Sequence, residues 1–91
     1  MMYIAAISHV SESYFADYYA SDSINDIIEK TIDFIRENAI KGKITKVLNE
    51  DGEEIKVADI KTGDYLLFTS EFTDEAYSLY ITTCDKFAQV K

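Results

Sequence analysis

The stretch SINDIIEKTIDFIREN, residues 23–38, decides the architecture of this chain. Projected at about 100° per residue, Ile24, Ile27, Ile28, Thr31, Ile32, Phe34, Ile35 and Ala39 fill one continuous arc, the pattern of a helix lying on a core. Ser23 suits the N-cap, with Asp26 three residues on, while Asn38 and Gly42, with Lys41 and Lys43 nearby, mark the exit. The expected helix runs from about Ser23 to Ala39. β-branched isoleucines lower its intrinsic propensity, so packing against another layer must stabilise it.

Beyond Gly42 the periodicity shortens to that of strands. KITKVL and EEIKVADI are expected to pair across Asp51-Gly52, a dipeptide that accepts the positive φ of a tight turn. After KTGD, the β-branched and aromatic runs YLLFTS and YSLYITT predict a second hairpin around EFTDEA, with DKFAQVK as a short edge or tail. Together with the helix this predicts an antiparallel sheet formed mainly by residues 43 to 83.

Before the helix, MYIAAISHV has the apolar content of a strand, and YFADYYA fits as its antiparallel partner across Ser11 to Ser13. In that reading Tyr14, Ala16, Tyr18 and Ala20 share one face, with Phe15, Asp17 and Tyr19 on the other. A helix is the competing reading, since Phe15, Tyr18 and Tyr19 also stand at i, i+3 and i+4. Strand is preferred because aromatics fit a pleated surface and SDS restarts a helix cleanly. The expected order is ββαββββ, one α+β domain over residues 1–91 with a single amphipathic helix on an antiparallel sheet.

Composition bounds the function. The chain is 47% apolar and 13% aromatic, rich enough in core formers to fold despite a net charge of −8. Cys84 is the lone cysteine, which excludes an intrachain disulfide and allows a reducing compartment, with the cytoplasm as the default expectation. The opening MMYIAAISHV has neither a basic n-region nor the apolar length of a signal or membrane span. Acidity argues against direct nucleic-acid or anionic-membrane binding, which needs bases that displace counterions. It is concentrated at the two ends: residues 1–29 and 62–85 hold five acids each and no base.

Motifs for chemistry are missing. Three isolated glycines make no phosphate loop. His9 and Cys84 stand singly, so neither a metal set nor a nucleophile pair is indicated. Placing Asn49, Asp51 and Gly52 at positions 3, 5 and 6 of a calcium loop leaves Val47 and Ala58 where carboxylates are required. No cofactor, metal or catalytic residue is therefore expected.

One acidic feature exceeds background. Asp22, Asp26, Glu29, Asp33 and Glu37 follow at intervals of four, three, four and four, a stripe opposite the isoleucines with Lys30 and Arg36 at its flanks. Such a stripe is first of all compatible with an ordinary solvated helix face, and secondly with a row of fixed charges presented to a basic groove. Just upstream, SESYFADYYASDS adds Tyr14, Tyr18 and Tyr19 beside Asp17 and Asp22, rigid amphipathic rings suited to protein contact. About half of these rings are expected in the core, with Phe15 the first choice.

A short, acidic, tyrosine-rich α+β chain of this kind resembles the small inhibitors that phages encode against host defences, anti-CRISPR proteins and anti-restriction DNA mimics among them. The likeness is one of composition. It implies a non-enzymatic protein that occupies the working surface of a basic, nucleic-acid-binding enzyme or complex in the host cytoplasm. YFADYYASDSINDIIEKTIDFI is also similar to the hairpin and helix of small antitoxins with a partial RNase-H-like fold, though without the glycine and proline loop between them. Ahead of the antitoxin likeness, the first alternative expectation is a small-molecule-binding or sequestering module, oligomeric, with the same aromatics lining a pocket.

Overall fold

A computed structural model describes residues 1–11, 16–40, 42–69 and 76–84. Its single helix, α1, spans Ile24–Asn38. The Ser23 side chain accepts a hydrogen bond from the Asp26 amide at 3.4 Å, and the Ala39 amide closes the last turn on the Ile35 carbonyl. Gly42 then adopts φ 65° and donates its N–H to the Ala39 carbonyl at 3.1 Å. A β-carbon at Gly42 would stand 3.2 Å from the Arg36 carbonyl oxygen, so the exit requires glycine for both torsion and space.

Six strands form one antiparallel sheet: β1 Met2–His9, β2 Ala16–Ser21, β3 Lys46–Leu48, β4 Glu54–Ile55, β5 Gly63–Phe68 and β6 Ala76–Cys84. Their spatial order is β2-β1-β6-β5-β3-β4, which gives the expected ββαββββ chain order in an α+β domain. β1 lies between β2 and β6, pairing Ala5 with Tyr19 on one side and with Ile81 on the other. YFADYYA thus contributes a strand, not a helix, over its described part. The segments 12–15, 70–75 and 85–91 lie outside the described residues, and with them the expectations for Phe15, the EFTDEA turn and the DKFAQVK tail.

Two boundaries differ from expectation. EEIKVADI makes only the two-residue β4 before turning into a 3-10 turn at Val57–Asp59. That turn passes close to α1 and drops Ile60 into the core at 2% exposure, while Val57 packs against the same cluster. Burial of these two side chains favours the turn over a longer edge strand. KITKVL likewise supplies only Lys46–Leu48, joined to β4 through Gly52 at φ 81°.

The core lies between α1 and one face of the sheet. Beyond Ala76, which is buried beside Tyr77, the strands alternate: Tyr65, Leu67, Tyr77, Leu79 and Ile81 are buried, and Asp64, Leu66, Ser78 and Tyr80 are exposed. From the helix, Ile27, Thr31 and Ile35 are buried, whereas Ile24, Ile28 and Phe34 are partly buried at its margins. Ile28, a member of the predicted apolar arc, is therefore a flank residue. Among the described residues no helix is long and apolar enough to cross a membrane.

Candidate functional site

The acidic stripe survives in part. Asp26, Glu29, Asp33 and Glu37 belong to α1, but Asp22 lies in the bend before Ser23. Ser23 has φ −123° and ψ 125°, so the chain has already left helical geometry there and Asp22 cannot continue the row. Four acids over twelve residues, eleven helical steps, extend about 17 Å at the helical rise. Two are paired: Asp33 with Arg36 at 2.9 Å, and Asp26 with Lys30 at 4.0 Å. Both pairs are solvated, and each contributes at most a few tenths of a kcal/mol. Glu29 and Glu37 are exposed and have no ion-pair partner among the described residues.

β2 divides the tyrosines between the two faces of the sheet. Tyr18 points away from the helix and is 74% exposed. Tyr19 points toward it, and its hydroxyl meets Thr31 Oγ1 at 2.5 Å. Thr31 uses its own hydroxyl proton on the Ile27 carbonyl, 2.9 Å away. The Tyr19 hydroxyl is consequently the donor, because a hydroxyl has only one proton to give. Burial pushes the Tyr19 phenol up to about 12, and the Asp17 carboxylate acts in the same direction. Tyr14 lies outside the described residues.

This clamp holds β2 against α1 and shapes an open groove of about 390 Å3 between them. Asp17, Asp33 and Glu37 line it as acids, with Tyr19 and Phe34 as aromatic wall and Lys30 as the lone base. Four of the nine residues singled out from sequence, Asp17, Tyr19, Asp33 and Glu37, are thus brought together. Asp22, Asp26, Glu29 and Tyr18 do not line this groove. Sequence reasoning missed Lys30 and Phe34 as groove residues. Their signal was present: Lys30, Phe34 and Glu37 are spaced i, i+4 and i+7, one flank of the helix beside the acidic stripe.

The opposite flank differs in charge. Ile32, Ile35, Ile44 and Val57 line a second groove of about 280 Å3, rimmed by Arg36 and Lys43. The helix therefore has an acidic side toward β2 and a basic rim toward the 3-10 turn.

His9 and Cys84 do not meet. His9 pairs with Tyr77 and Cys84 with Met2, at opposite ends of the β1–β6 ladder. Seven residues of extended chain separate those ends by roughly 23 Å. His9 is occupied locally, its Nδ1 meeting the Ser11 backbone amide at 3.2 Å and its ring packing edge-on against Tyr77 at 5.0 Å. Among the described residues there is also no group of three or more His, Cys, Asp or Glu able to hold a metal ion.

Comparison with known proteins returned no match to this chain from family models, curated proteins or solved structures.

Proposed function

We propose that this chain is a non-enzymatic binding protein, an inhibitor of the phage anti-defence type, which docks the acidic flank of α1 on a basic, nucleic-acid-handling protein. The observation that carries the reading is the groove in which Asp17, Asp33 and Glu37 surround the rings of Tyr19 and Phe34. An arginine or lysine of a partner would lay its aliphatic stem on those rings and its charged head among the carboxylates. Glu29 and Glu37 supply exposed negative charge along the same helix, a short linear array of the kind a nucleic-acid groove accepts.

The test is affinity capture from host cells with partner identification, comparing two triple reversals. Asp17, Asp33 and Glu37 to Lys alters the groove; Glu50, Glu53 and Glu54 to Lys makes the same change in net charge at exposed positions of the β3–β4 hairpin. The groove variant should lose the partner while the hairpin variant retains it. Binding of the wild type should weaken steeply as salt shortens the Debye length from about 10 Å at 0.1 M to about 3 Å at 1 M. Equal loss in both variants would reduce the stripe to a solvated helix face.

A further inference from the structure

The face of the sheet turned away from α1 has no layer over it among the described residues. It carries three of the six exposed large hydrophobic side chains: Tyr18, Leu66 and Tyr80. Over β2, β1 and β6 the outward alternate positions, Ala16 to Ala20, Met2 to Ser8 and Ser78 to Cys84, include no charged residue. In a chain that is 29% charged with a net charge of −8, that is a marked segregation. Charge reappears only at β5, β3 and β4, with Asp64, Lys46 and Glu54.

Register gives this face a defined relief. One row across three strands reads Tyr18, Ala6, Tyr80, and the neighbouring row reads Ala20, Ile4, Thr82. The first is large, small, large; the second is small, large, small. Facing positions lie about 5 Å apart, so Tyr18 and Tyr80 stand as ridges on either side of an alanine trough. A surface of this kind fits a copy of itself, because a two-fold axis can set the ridges of one copy over the troughs of the other.

We propose that the open sheet face is a homodimer interface, two copies packing sheet to sheet with their helices outward. The self-fitting relief of the rows selects a second copy as the occupant, and electrostatics tolerates it on this face. Two chains of charge −8 repel at most approaches, and the charge-free face keeps the acidic helices farthest apart. With two helix–sheet layers and one sheet–sheet layer of roughly 10 Å each, the helices stand about 30 Å apart, several Debye lengths of roughly 8 Å at physiological salt. A face without charges also offers no handle for choosing a basic or an acidic partner. The three charge-free strands, of six, eight and nine residues, give a footprint of roughly 400 Å2 before side-chain relief is counted, against about 800 Å2 per partner in a standard interface. The dimer should accordingly be a reversible one in the micromolar range. This inference is independent of the proposed partner, since it uses the opposite face of the sheet from the acidic groove.

Sedimentation equilibrium of the full chain, from about 1 µM to about 1 mM, tests it. The wild type should pass from monomer to dimer, with affinity unchanged or strengthened as ionic strength rises from about 0.05 M to about 0.5 M, because no ion pair holds the face and screening relieves residual repulsion. The double variant Tyr18→Asp, Tyr80→Asp should weaken the dimer at least about tenfold by placing unpaired charges in a desolvated interface. Ala20→Asp, at an exposed edge position, should act in the same direction and serves if the double variant loses its native circular dichroism. A wild type that remains monomeric throughout overturns the proposal. So does a dimer that resists these aspartates, or one that is dissociated instead by the groove reversals on α1.

Discussion

Replacing Tyr19 by Phe removes one hydroxyl and leaves the ring that walls the acidic groove. At neutral pH the loss is that of a single partly buried hydrogen bond, about 0.5–1.5 kcal/mol, since Thr31 keeps its bond to the Ile27 carbonyl. Alkaline pH should reverse the comparison. The folded-state phenol lies at about 12, above an ordinary value of 10.0, so the folded chain retains a proton that the unfolded chain releases over that interval. The associated stability is fully present below pH 10 and is lost as pH rises through 12. Two units correspond to about 2.7 kcal/mol, and the partial solvation of Tyr19 reduces this to about 1–2 kcal/mol. Wild type should therefore exceed Tyr19→Phe by about 1 kcal/mol at pH 8, and the gap should vanish or change sign near pH 12. Urea unfolding of both proteins across that range measures it, and the difference between them cancels the titration of the other tyrosines. A gap that stays constant with pH would refute the clamp between β2 and α1.

Packing predictions distinguish the helix centre from its margin. Ile27→Ala and Ile35→Ala, both at 0% exposure, should each cost about 2–5 kcal/mol, and Ile28→Ala distinctly less because that side chain is only partly buried, as read from denaturant midpoints. Equal costs at Ile27 and Ile28 would contradict the orientation of the helix. Gly42→Ala should destabilise by about 1–2 kcal/mol through its left-handed torsion and the close Arg36 carbonyl. On a thermal melt this appears as a lower Tm, by roughly 4–8 °C per kcal/mol for a domain of this size.

Much of this structure is local, and local features are legible. Ser23, the isoleucine arc and Gly42 specify the helix and both its ends, because capping and 3.6-residue periodicity operate within a few turns of chain. Gly52 likewise marks the β3–β4 turn through its own torsion. The acidic stripe could be anticipated along α1, though not its end at Ser23, where the cap's extended backbone removes Asp22 from the row.

What lay beyond sequence was the set of relations between distant segments. Period two states that Tyr18 and Tyr19 oppose each other, but not which ring faces the helix; the choice falls to Thr31, twelve residues away, which receives the Tyr19 hydroxyl. The placement of β1 between β2 and β6 joins opposite ends of the chain through a ladder from Met2–Cys84 to His9–Tyr77, and no local propensity encodes such a pairing. That same ladder keeps His9 and Cys84 apart and aligns Tyr18, Ala6 and Tyr80 in one row. Sequence by itself determined the helix, its caps and the order of the strands along the chain, which depend on neighbouring torsions and periodic burial, but not the 3-10 turn that replaces the end of EEIKVADI. Only the tertiary structure decided which acids share a groove and which tyrosines share an open face, because both follow from non-local register and from the side of the sheet on which the helix packs.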